Sequence, residues 1–365
     1  MAKLYPRYIS LSIIAAYVLL FAASCSKDKK DEPGVSISNI AKIGMYQYGT
    51  TTGRRVFIPI TKVGTVTTAY LSIFDTGSTG MSIDADGILP ASMISSNGIT
   101  VTGDSVIVNG ITVTNQTSVM AYGNSVGGET RQYGNLAYAS VTMGDANGKV
   151  TATRIPFFLY YKMVDMSTGN TLPAHSSDVF GVGPGFSYAT NKIGSPLSYF
   201  PIPNGVTNGF RLAKLSSTFN ANPTYVPGLL TIGLTPSDLS AGFIMHNLSF
   251  SSQGGYSPNI PATINYNGNN VSALMLFDTG NPSTHYVSNQ ASPSNTLTLP
   301  ANTTVSVTTS SGFTYQCVTN TTTNNTQVVR PSFNGGDPRT IYNINFFIDN
   351  EYLTDYQNHR IGLKN

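Results

Sequence analysis

The stretch LSIFDTGST (residues 71–79) recurs in the second half of the chain as LMLFDTGNPST (residues 274–284). In each copy an apolar run precedes an Asp-Thr-Gly triplet, and the two aspartates, Asp75 and Asp278, are 203 residues apart. Either triplet alone is typical of an ordinary turn, because Asp caps turns and Gly tolerates positive φ. A single repeat at this distance is not a solenoid period. It indicates two lobes built on one plan.

The rest of the 365-residue chain predicts an all-β protein. Short runs rich in β-branched and aromatic residues recur between clusters of Gly, Asn, Asp and Pro, which is the pattern of antiparallel strands. Helical periodicity is weak, and only SPLSYFP (195–201) and TPSDLSAG (235–242) suggest single helical turns. The runs interpreted as strands include RRVFIPI (54–60), GITVTNQTSVMAY (110–122), TRIPFFLYY (153–161), GLLTIGL (228–234) and INFFID (344–349).

The amino terminus predicts export and lipid attachment. A short basic start, an apolar run and small residues before Cys25 are typical of a lipoprotein signal peptide, here residues 1–24. The alternative is an uncleaved anchor helix, but Tyr8 to Ala23 is only 16 residues, whereas a membrane span needs about 20. Residues 25–40 would then form a lipid-anchored tether. This leader resembles those of outer-membrane lipoproteins of Bacteroidota-type bacteria, so we expect a lipid-anchored cell-envelope protein in the outer membrane; which side of that membrane it faces stays open, and surface display is one alternative.

Charge and cysteine content narrow the possible partners. The formal net charge is +3, and removing Lys3 and Arg7 with the signal peptide leaves 18 basic against 17 acidic residues, or +1. Only 10% of the residues are charged and no basic stripe occurs, so nothing points to nucleic acid. Once Cys25 carries the lipid, Cys317 is left without a disulfide partner, and its alternating neighbours predict a buried thiol.

Together these features resemble the pepsin-type aspartic peptidases, bilobal β proteins in which each lobe contributes one Asp-Thr-Gly loop to a central cleft. TSVMAYG (117–123) and LAYASVTMG (136–144) resemble the two strands of the family's flap. SDVFGVGPG (177–185) resembles the first-lobe segment beside the catalytic loop. INFFIDNEYLTDYQNHRIGLKN (344–365) resembles the family's carboxyl terminus, where a short helical turn precedes the last strand.

The resemblance implies a first lobe over residues 41–238, with one loop and the flap, and a second lobe over residues 239–365. It also implies that Asp75 and Asp278 are catalytic. Two carboxylates within hydrogen-bond distance cannot both ionise, so the pair would share a proton and titrate in two steps. The ionised partner would activate a water while the protonated one polarises the scissile carbonyl. Such chemistry needs no metal, cofactor or covalent intermediate.

The residues next to the aspartates would hold them in place. By the same resemblance, the threonines cross-link the two loops through hydrogen bonds, and the glycines let the loops approach closely. Ser78 would donate to the outer oxygen of Asp75 and favour its charged form. The residues expected to support the pair are Thr76, Gly77, Ser78, Thr279, Gly280 and Asn281.

In the family a flap tyrosine closes over the substrate, and Tyr122 is the first candidate here, with Tyr133 second. The sequence departs from the family at three informative places. Asn281 stands where the second loop usually has Ser or Thr, Ser82 where a Trp usually supports the flap tyrosine, and Asn343 where glycine is common. These departures indicate a divergent bacterial branch, and Asn281 leaves the activity of the pair open.

Three other signals have simpler interpretations. GNSVG (123–127) matches the G-x-S-x-G of serine hydrolases, but a loop-like segment follows where a helix is needed, so Ser125 is interpreted as flap-tip polarity. The glycines of SDVFGVGPG lack the Lys and Ser/Thr of a phosphate loop and are expected to serve close backbone packing. The histidines lack metal-ligand spacing and are expected on the surface or hydrogen-bonded in the core. They are His175, His246, His285 and His359.

Three functions follow from this reading. The first is a monomeric, lipid-anchored aspartic endopeptidase that hydrolyses an extended polypeptide in an interlobe cleft. The second is a catalytically inactive pepsin-like lipoprotein that binds a protein partner. The third is a surface glycan-binding lipoprotein, which is disfavoured because glycan binding needs no matched carboxylate loops and the chain has no Trp for an aromatic platform.

Overall fold

The computed structural model describes residues 40–124 and 126–365. Over these residues the chain consists mainly of β-strands in two large sheets, with two α-helices of four residues each. The predicted all-β, bilobal fold with few short helices is confirmed. Within the described ranges, no helix is long and apolar enough to span a bilayer. The predicted signal peptide, the lipid site at Cys25, residues 25–39 of the tether and Ser125 lie outside the described residues.

The strands are numbered in chain order. Up to residue 234 they are β1 (Ala41–Gly49), β2 (Arg54–Val63), β3 (Val66–Asp75), β4 (Thr79–Asp84), β5 (Ile94–Ser95), β6 (Gly98–Ile99), β7 (Ser105–Val108), β8 (Ile111–Asn124), β9 (Gly128–Asp145), β10 (Gly148–Asp165), β11 (Val179–Val182), β12 (Thr207–Leu212) and β13 (Thr224–Leu234). After it they are β14 (Ile244–Asn247), β15 (Ile260–Tyr266), β16 (Asn269–Phe277), β17 (Thr284–Ser288), β18 (Thr296–Thr298), β19 (Thr304–Thr309), β20 (Thr314–Val318), β21 (Asn325–Val329), β22 (Arg339–Tyr342), β23 (Glu351–Asp355) and β24 (Arg360–Lys364). The α-helices are α1 (Pro236–Leu239) and α2 (Phe346–Asp349), and 3₁₀ turns lie at Ala91–Met93, Pro196–Tyr199 and Pro331–Phe333.

The strands form one large and one smaller sheet. The larger has 14 strands in the order β14-β24-β23-β12-β13-β1-β2-β3-β11-β4-β10-β9-β8-β7. The smaller has 8 strands in the order β18-β21-β17-β22-β16-β15-β19-β20, and β5 pairs with β6 alone. Because β14, β23 and β24 pair into the larger sheet, the division of the chain between residues 238 and 239 stays a prediction.

Each aspartate-bearing strand has the same kind of neighbour. β3 ends at Asp75 and lies parallel to β11, with Gly181 opposite Asp75. β16 ends at Phe277, directly before Asp278, and lies parallel to β22, with Tyr342 opposite Phe277. The two repeated loops therefore occupy equivalent places, each at the carboxyl end of an interior strand of its sheet, as the internal repeat predicts.

A chain of aromatic rings connects the two loops beneath the aspartates. It begins and ends at Phe74 and Phe277, the residues that precede Asp75 and Asp278. Consecutive ring centroids are between 4.1 and 6.1 Å apart, close to the spacing at which aromatic pairs attract one another. The rings are those of Phe74, Phe210, Tyr352, Phe347, Phe346 and Phe277. One packed core therefore holds both loops.

The segment INFFID is not the strand that its composition predicts, because it contains α2. The neighbouring side chains of Phe346 and Phe347 are both 0% exposed, and an alternating strand would send them to opposite faces. Asn350 closes the turn by donating from Nδ2 to the Phe346 carbonyl oxygen at 2.7 Å. The helical turn that the family resemblance implies here is present. The two other predicted turns are found as the 3₁₀ turn Pro196–Tyr199 and as α1.

Candidate active site

The first loop presents Asp75 at the end of β3, where the chain turns into β4. This residue is only 7% exposed, and its carboxyl accepts two hydrogen bonds from its own loop. The Gly77 N–H donates to Oδ1 at 2.7 Å, and the Ser78 hydroxyl donates to Oδ2 at 2.5 Å. These short contacts are suited to a charged carboxylate. The structure thus places Ser78 on the outer oxygen of Asp75.

The second loop presents Asp278 directly after β16. Its backbone N–H donates to the Tyr342 carbonyl oxygen at 2.9 Å, which ties the loop to β22. The Gly280 N–H donates to Asp278 Oδ1 at 2.7 Å, the same contact that Gly77 makes in the first loop. The backbone of the two loops is therefore equivalent around the carboxyls.

The side chain of Asn281 corrects one expectation about the second loop. Its Nδ2 donates to the Thr284 carbonyl oxygen at 2.7 Å, so the amide closes the turn through Pro282 instead of supporting Asp278. Within the described residues, Asp278 has no side-chain donor equivalent to the Ser78 hydroxyl on Asp75. The two carboxyls consequently differ in their hydrogen bonds.

The glycines of the two triplets bring the aspartates together. A Cβ placed on Gly77 would lie 2.4 Å from Asp278 Cγ, and a Cβ placed on Gly280 would lie 2.6 Å from Asp75 Cγ. The same point on Gly280 is 2.6 Å from Asp75 Oδ1 and 3.0 Å from Asp278 Oδ1. Both Oδ1 atoms therefore lie within 3.0 Å of one point beside Gly280, which places the two carboxyls next to each other.

The threonines cross-link the loops symmetrically. The Thr279 hydroxyl accepts from the Thr76 N–H at 3.0 Å and donates to the Phe74 carbonyl oxygen at 2.6 Å. The Thr76 hydroxyl accepts from the Thr279 N–H at 3.0 Å and donates to the Phe277 carbonyl oxygen at 2.7 Å. Both side chains are buried, so these bonds have no competition from water. They fix the spacing of the two aspartates.

The environment makes Asp278 the more perturbed of the pair. Burial raises its pKa well above the usual range, and the neighbouring carboxyl of Asp75 raises it further. The Gly280 N–H and the positive charge of Arg339 act in the opposite direction. Asp278 therefore keeps its proton to a higher pH than a free carboxyl does, and it fits the role of the acid. Asp75, with its two donors, fits the role of the charged partner.

A half-buried arginine on β2, Arg55, approaches the second loop. Its Nη1 donates to the Gly280 carbonyl oxygen at 2.8 Å. Burial lowers the pKa of Arg55, and the charges of the two aspartates oppose this change. Its neighbour Arg54 extends the contact, since the Arg54 N–H donates to the Pro282 carbonyl oxygen at 3.1 Å. Sequence reasoning missed Arg55, because an arginine pair at the start of a strand gives no sign of which loop it meets.

β8 and β9 form a hairpin, here called the flap, whose last pair is Asn124 with Gly128. Tyr122 on β8 lines a cavity together with Gly77 and Ser78. The hydroxyl groups of Tyr122 and Ser82 are 3.0 Å apart and hydrogen-bonded, so Ser82 contacts the tyrosine from the position where the family has a Trp. Burial raises the pKa of Tyr122 and keeps it neutral. The structure thus places the first-choice tyrosine beside the first loop.

Tyr133, the second choice, lies elsewhere on the flap. It sits opposite Val119 on β8, and the Lys162 Nζ lies 4.8 Å from the centre of its ring. The end of the flap contacts the smaller sheet, since a Cβ on Gly127 would lie 2.6 Å from the Tyr286 hydroxyl oxygen of β17. The flap therefore extends from the first sheet across to the second.

The cavity beside the first loop has a volume of about 640 Å³ including its open mouth. It lies under the flap and is bounded by the loop after β11 and by the connection between β14 and β15. Its walls are mainly aromatic and small polar residues, and Arg339 is the only charged residue among those that the structure describes there. Side chains that line it include Ser78, Tyr122, Phe186, Tyr188, Tyr256 and Arg339.

The glycines of SDVFGVGPG pack against the first loop. A Cβ on Gly181 would lie 2.8 Å from Ser78 Oγ, and a Cβ on Gly183 would lie 2.5 Å from Thr79 Oγ1. The segment thus supports the loop from below by close backbone approach.

Cys317 is buried, and burial raises the pKa of its thiol to about 12. Such a thiol is inert, in agreement with the alternating pattern around it.

The histidines that lie in the core are hydrogen-bonded there. His285 Nε2 contacts Asn324 Oδ1 at 2.6 Å, and its Nδ1 accepts from the Asn343 N–H at 3.1 Å. His246 Nε2 contacts Thr309 Oγ1 at 2.8 Å. In the part of the chain that the structure describes, no three His, Cys, Asp or Glu side chains form a group that could hold a metal ion.

Comparison with known proteins finds similarity in the fold but none in the sequence. No family model matches the sequence, and no curated protein is similar to it in sequence. Basic 7S globulin from soybean superposes with a TM-score of 0.54 at 12% identity, over 89% of this chain and 96% of that one. Conglutin gamma, a basic 7S globulin from lupine seeds, gives 0.54 at 14% identity, over 89% and 95%. An aspartic proteinase from Irpex lacteus gives 0.51 at 16% identity, over 89% and 97%.

At these identities the likeness concerns the fold alone, and it is shared by a proteinase and by seed globulins. Activity has to be argued from the aspartates and their surroundings. The superposition covers 89% of this chain and at least 95% of each of the three others. The chain therefore has the bilobal β fold of the pepsin-like aspartic proteinases.

Proposed function

We propose that the chain is an aspartic endopeptidase that hydrolyses a polypeptide bound in extended form between its two lobes. One observation supports this above all others: one oxygen of Asp75 and one oxygen of Asp278 lie within 3.0 Å of the same point beside Gly280. In so small a space a second negative charge is strongly disfavoured, so the pair holds one proton. A singly protonated pair supplies a base and an acid at the same point.

The chemistry follows from the different surroundings of the two carboxyls. Asp75 takes a proton from a water between the carboxyls as the water oxygen bonds to the scissile carbonyl carbon. Asp278 gives its proton to the carbonyl oxygen, and a neutral tetrahedral diol forms. The diol then returns a proton to one carboxyl while the other protonates the amine as the C–N bond breaks. Each cycle restores the single shared proton.

The flap supplies the place for the substrate. Tyr122 and the first loop line the same cavity, so a peptide seated there lies between the flap and the loop that carries Asp75. An extended peptide can pair its backbone with the flap strands, which leaves its side chains to contact the cavity walls. The flap would also exclude bulk water from the reacting bond.

The proposal is tested by incubating the full chain in detergent with a mixed peptide substrate from about pH 3 to pH 7, the span expected for a shared-proton dyad. Asp75→Asn and Asp278→Asn should each abolish cleavage, and a statine-type transition-state inhibitor should block the wild type. Asp104→Asn, which alters an exposed carboxyl, is the matched control and should cleave normally. A wild type no more active than the two dyad variants at any pH would overturn the proposal.

The geometry at Asn281 favours a second candidate, a pepsin-like protein that binds peptides without cleaving them. Asp278 lacks the hydroxyl donor that Asp75 has. Without that donor Asp278 is a weaker acid, which would slow proton transfer to the substrate but leave peptide binding in the cleft intact. This candidate predicts that the wild type binds the statine inhibitor while cleaving none of the peptides. Binding together with cleavage excludes it.

We propose further that the mature chain is attached to the outer membrane through a lipid on Cys25. The support is the signal-like sequence before this residue. Metabolic labelling with palmitate should label the wild type and the Cys317→Ser variant but not Cys25→Ser. Unchanged labelling and membrane fractionation of Cys25→Ser would refute the attachment.

A further inference from the structure

We infer that Arg339 makes the cleft selective for a carboxylate on the bound peptide. The carboxylate can come from an acidic side chain near the scissile bond or from the carboxyl terminus of the peptide. The inference rests on the proposed function, because it names the class of substrate for the same cleft.

The position of Arg339 supports this inference first. It is the first residue of β22, and Tyr342, the last residue of that strand, accepts the Asp278 N–H. A strand rises about 3.3 Å per residue, so Arg339 lies about 10 Å along β22 from the loop that carries Asp278. An extended peptide covers this distance with about three residues. The guanidinium is therefore within reach of a substrate group a few residues from the reacting bond.

The hydrogen bonds of Arg339 leave one edge of its guanidinium free for a ligand. Asp337 occupies the other edge, with Nε donating to Oδ1 at 2.9 Å and Nη2 donating to Oδ2 at 2.8 Å. Among the described residues, Nη1 of Arg339 has no hydrogen-bond acceptor. Guanidinium donors are held in a rigid plane, so Asp337 fixes the direction in which Nη1 points. The free edge is thus oriented before a ligand arrives.

The charge and polarity of the cavity favour an anion at this edge. Arg339 is the only charged residue among the described residues that line the cavity, and the aromatic side chains of Phe186, Tyr188 and Tyr256 line the same cavity. A charge-assisted hydrogen bond is stronger where such walls exclude water. A lysine or arginine side chain of the substrate would meet a like charge here, which costs binding energy.

Asp337 and the dyad carry negative charge as well, and both act against a carboxylate ligand. Asp337, however, is satisfied by the edge of Arg339 that faces it. The dyad lies at the other end of β22, and Arg339 is the nearer charge for a group bound at the cavity wall. The preference is therefore expected to be moderate and to depend on Arg339 alone.

The test uses one cleavable peptide sequence in which each position flanking the scissile bond carries Glu, Gln or Lys in turn. At one position, wild-type kcat/KM should be about tenfold higher for Glu than for Gln, the size expected for a hydrogen bond to a charged group. Arg339→Gln should remove this ratio, and Arg339→Glu should invert it in favour of Lys. Asp337→Asn keeps Arg339 and should therefore keep a preference for Glu over Gln.

A second arm compares the same peptides with a free and an amidated carboxyl terminus. Loss of cleavage on amidation, without an effect of internal Glu, assigns the carboxylate to the terminus. Equal cleavage of all these peptides by an active wild type would overturn the inference while leaving the proposed function intact. If the wild type cleaves none, the proposed function fails, and the same peptides are compared by binding to the full chain. Equal affinities for the Glu, Gln and Lys forms would then overturn the carboxylate preference too.

Discussion

The α-carbon of Gly77 lies so close to the carboxyl of Asp278 that a methyl group there would come within 2.4 Å of Asp278 Cγ. Gly280 has the matching contact with Asp75 at 2.6 Å. Neither glycine has the left-handed φ that would require glycine for its own turn. Each triplet therefore needs its glycine because of the opposite loop, and the repeat in the sequence reflects one interlocked site.

Gly77→Ala should consequently separate the two carboxyls and reduce kcat/KM by at least about a hundredfold, since general acid–base catalysis depends on this geometry. It should also lower the free energy of unfolding by about 1–3 kcal/mol through overpacking. Gly194→Ala is the matched control, because its φ is ordinary and its closest new contact is 3.5 Å. Wild-type activity in Gly77→Ala would contradict the interlocking of the loops.

The threonine cross-link predicts a stability effect independent of activity. In Thr279→Val the Thr76 N–H loses its acceptor and the Phe74 carbonyl oxygen loses its donor, both in a buried site. Unsatisfied buried groups cost about 1–3 kcal/mol, and urea unfolding should show a loss of this size. Thr279→Ser keeps the hydroxyl and should retain most of the stability. Equal losses in the two variants would show that the methyl group, and not the hydrogen bonds, is what matters.

Contiguous motifs predict the centre of the site well, because each Asp-Thr-Gly triplet carries its chemistry within a few residues. The roles of Asn281, Arg55 and Arg339 depend on contacts between segments far apart in sequence. No local pattern shows that the Asn281 amide turns toward Thr284 or that Arg55 meets Gly280. The prediction of a strand for the segment INFFID is wrong for a related reason, because packing under the loops, and not β propensity, decides the conformation of this segment.

The buried His285 predicts that the fold weakens in acid. Burial lowers its pKa to about 4 from the ordinary 6.5. Between these pH values the unfolded chain binds the proton more tightly than the folded chain does. The contribution of neutral His285 to the free energy of unfolding is therefore fully present above pH 6.5 and is lost as the pH falls toward 4. The shift corresponds to about 3 kcal/mol. Burial lowers the pKa of His246 as well, so the two histidines act in the same direction.

Urea unfolding of the wild type between pH 7.5 and pH 4.5 should show this loss, and His285→Gln should depend less on pH over the same interval. A variant as sensitive to acid as the wild type would exclude His285 as the cause. The physical consequence is that the burial of His285 limits how acidic a medium the folded chain tolerates.

Arg55 predicts a shift of the pH profile. Its positive charge near the dyad favours the ionised carboxylates, so Arg55→Gln should move both limbs of the profile of kcat/KM to higher pH, by roughly one unit. Arg55→Lys keeps the charge and should move the profile less, although it loses the geometry of the bond to Gly280. A lower rate with unmoved limbs would assign Arg55 a role in loop position only.

The central claim is that Asp75 and Asp278 act as one unit, and a double-substitution cycle tests it most directly. kcat/KM for a single defined peptide is measured for the wild type, Asp75→Asn, Asp278→Asn and the double variant. Because residues that act together give non-additive losses, each single variant should lose at least about a thousandfold and the double variant no more than the worse of the two. Losses that multiply in the double variant, or a single variant that retains activity, would contradict the shared-proton dyad.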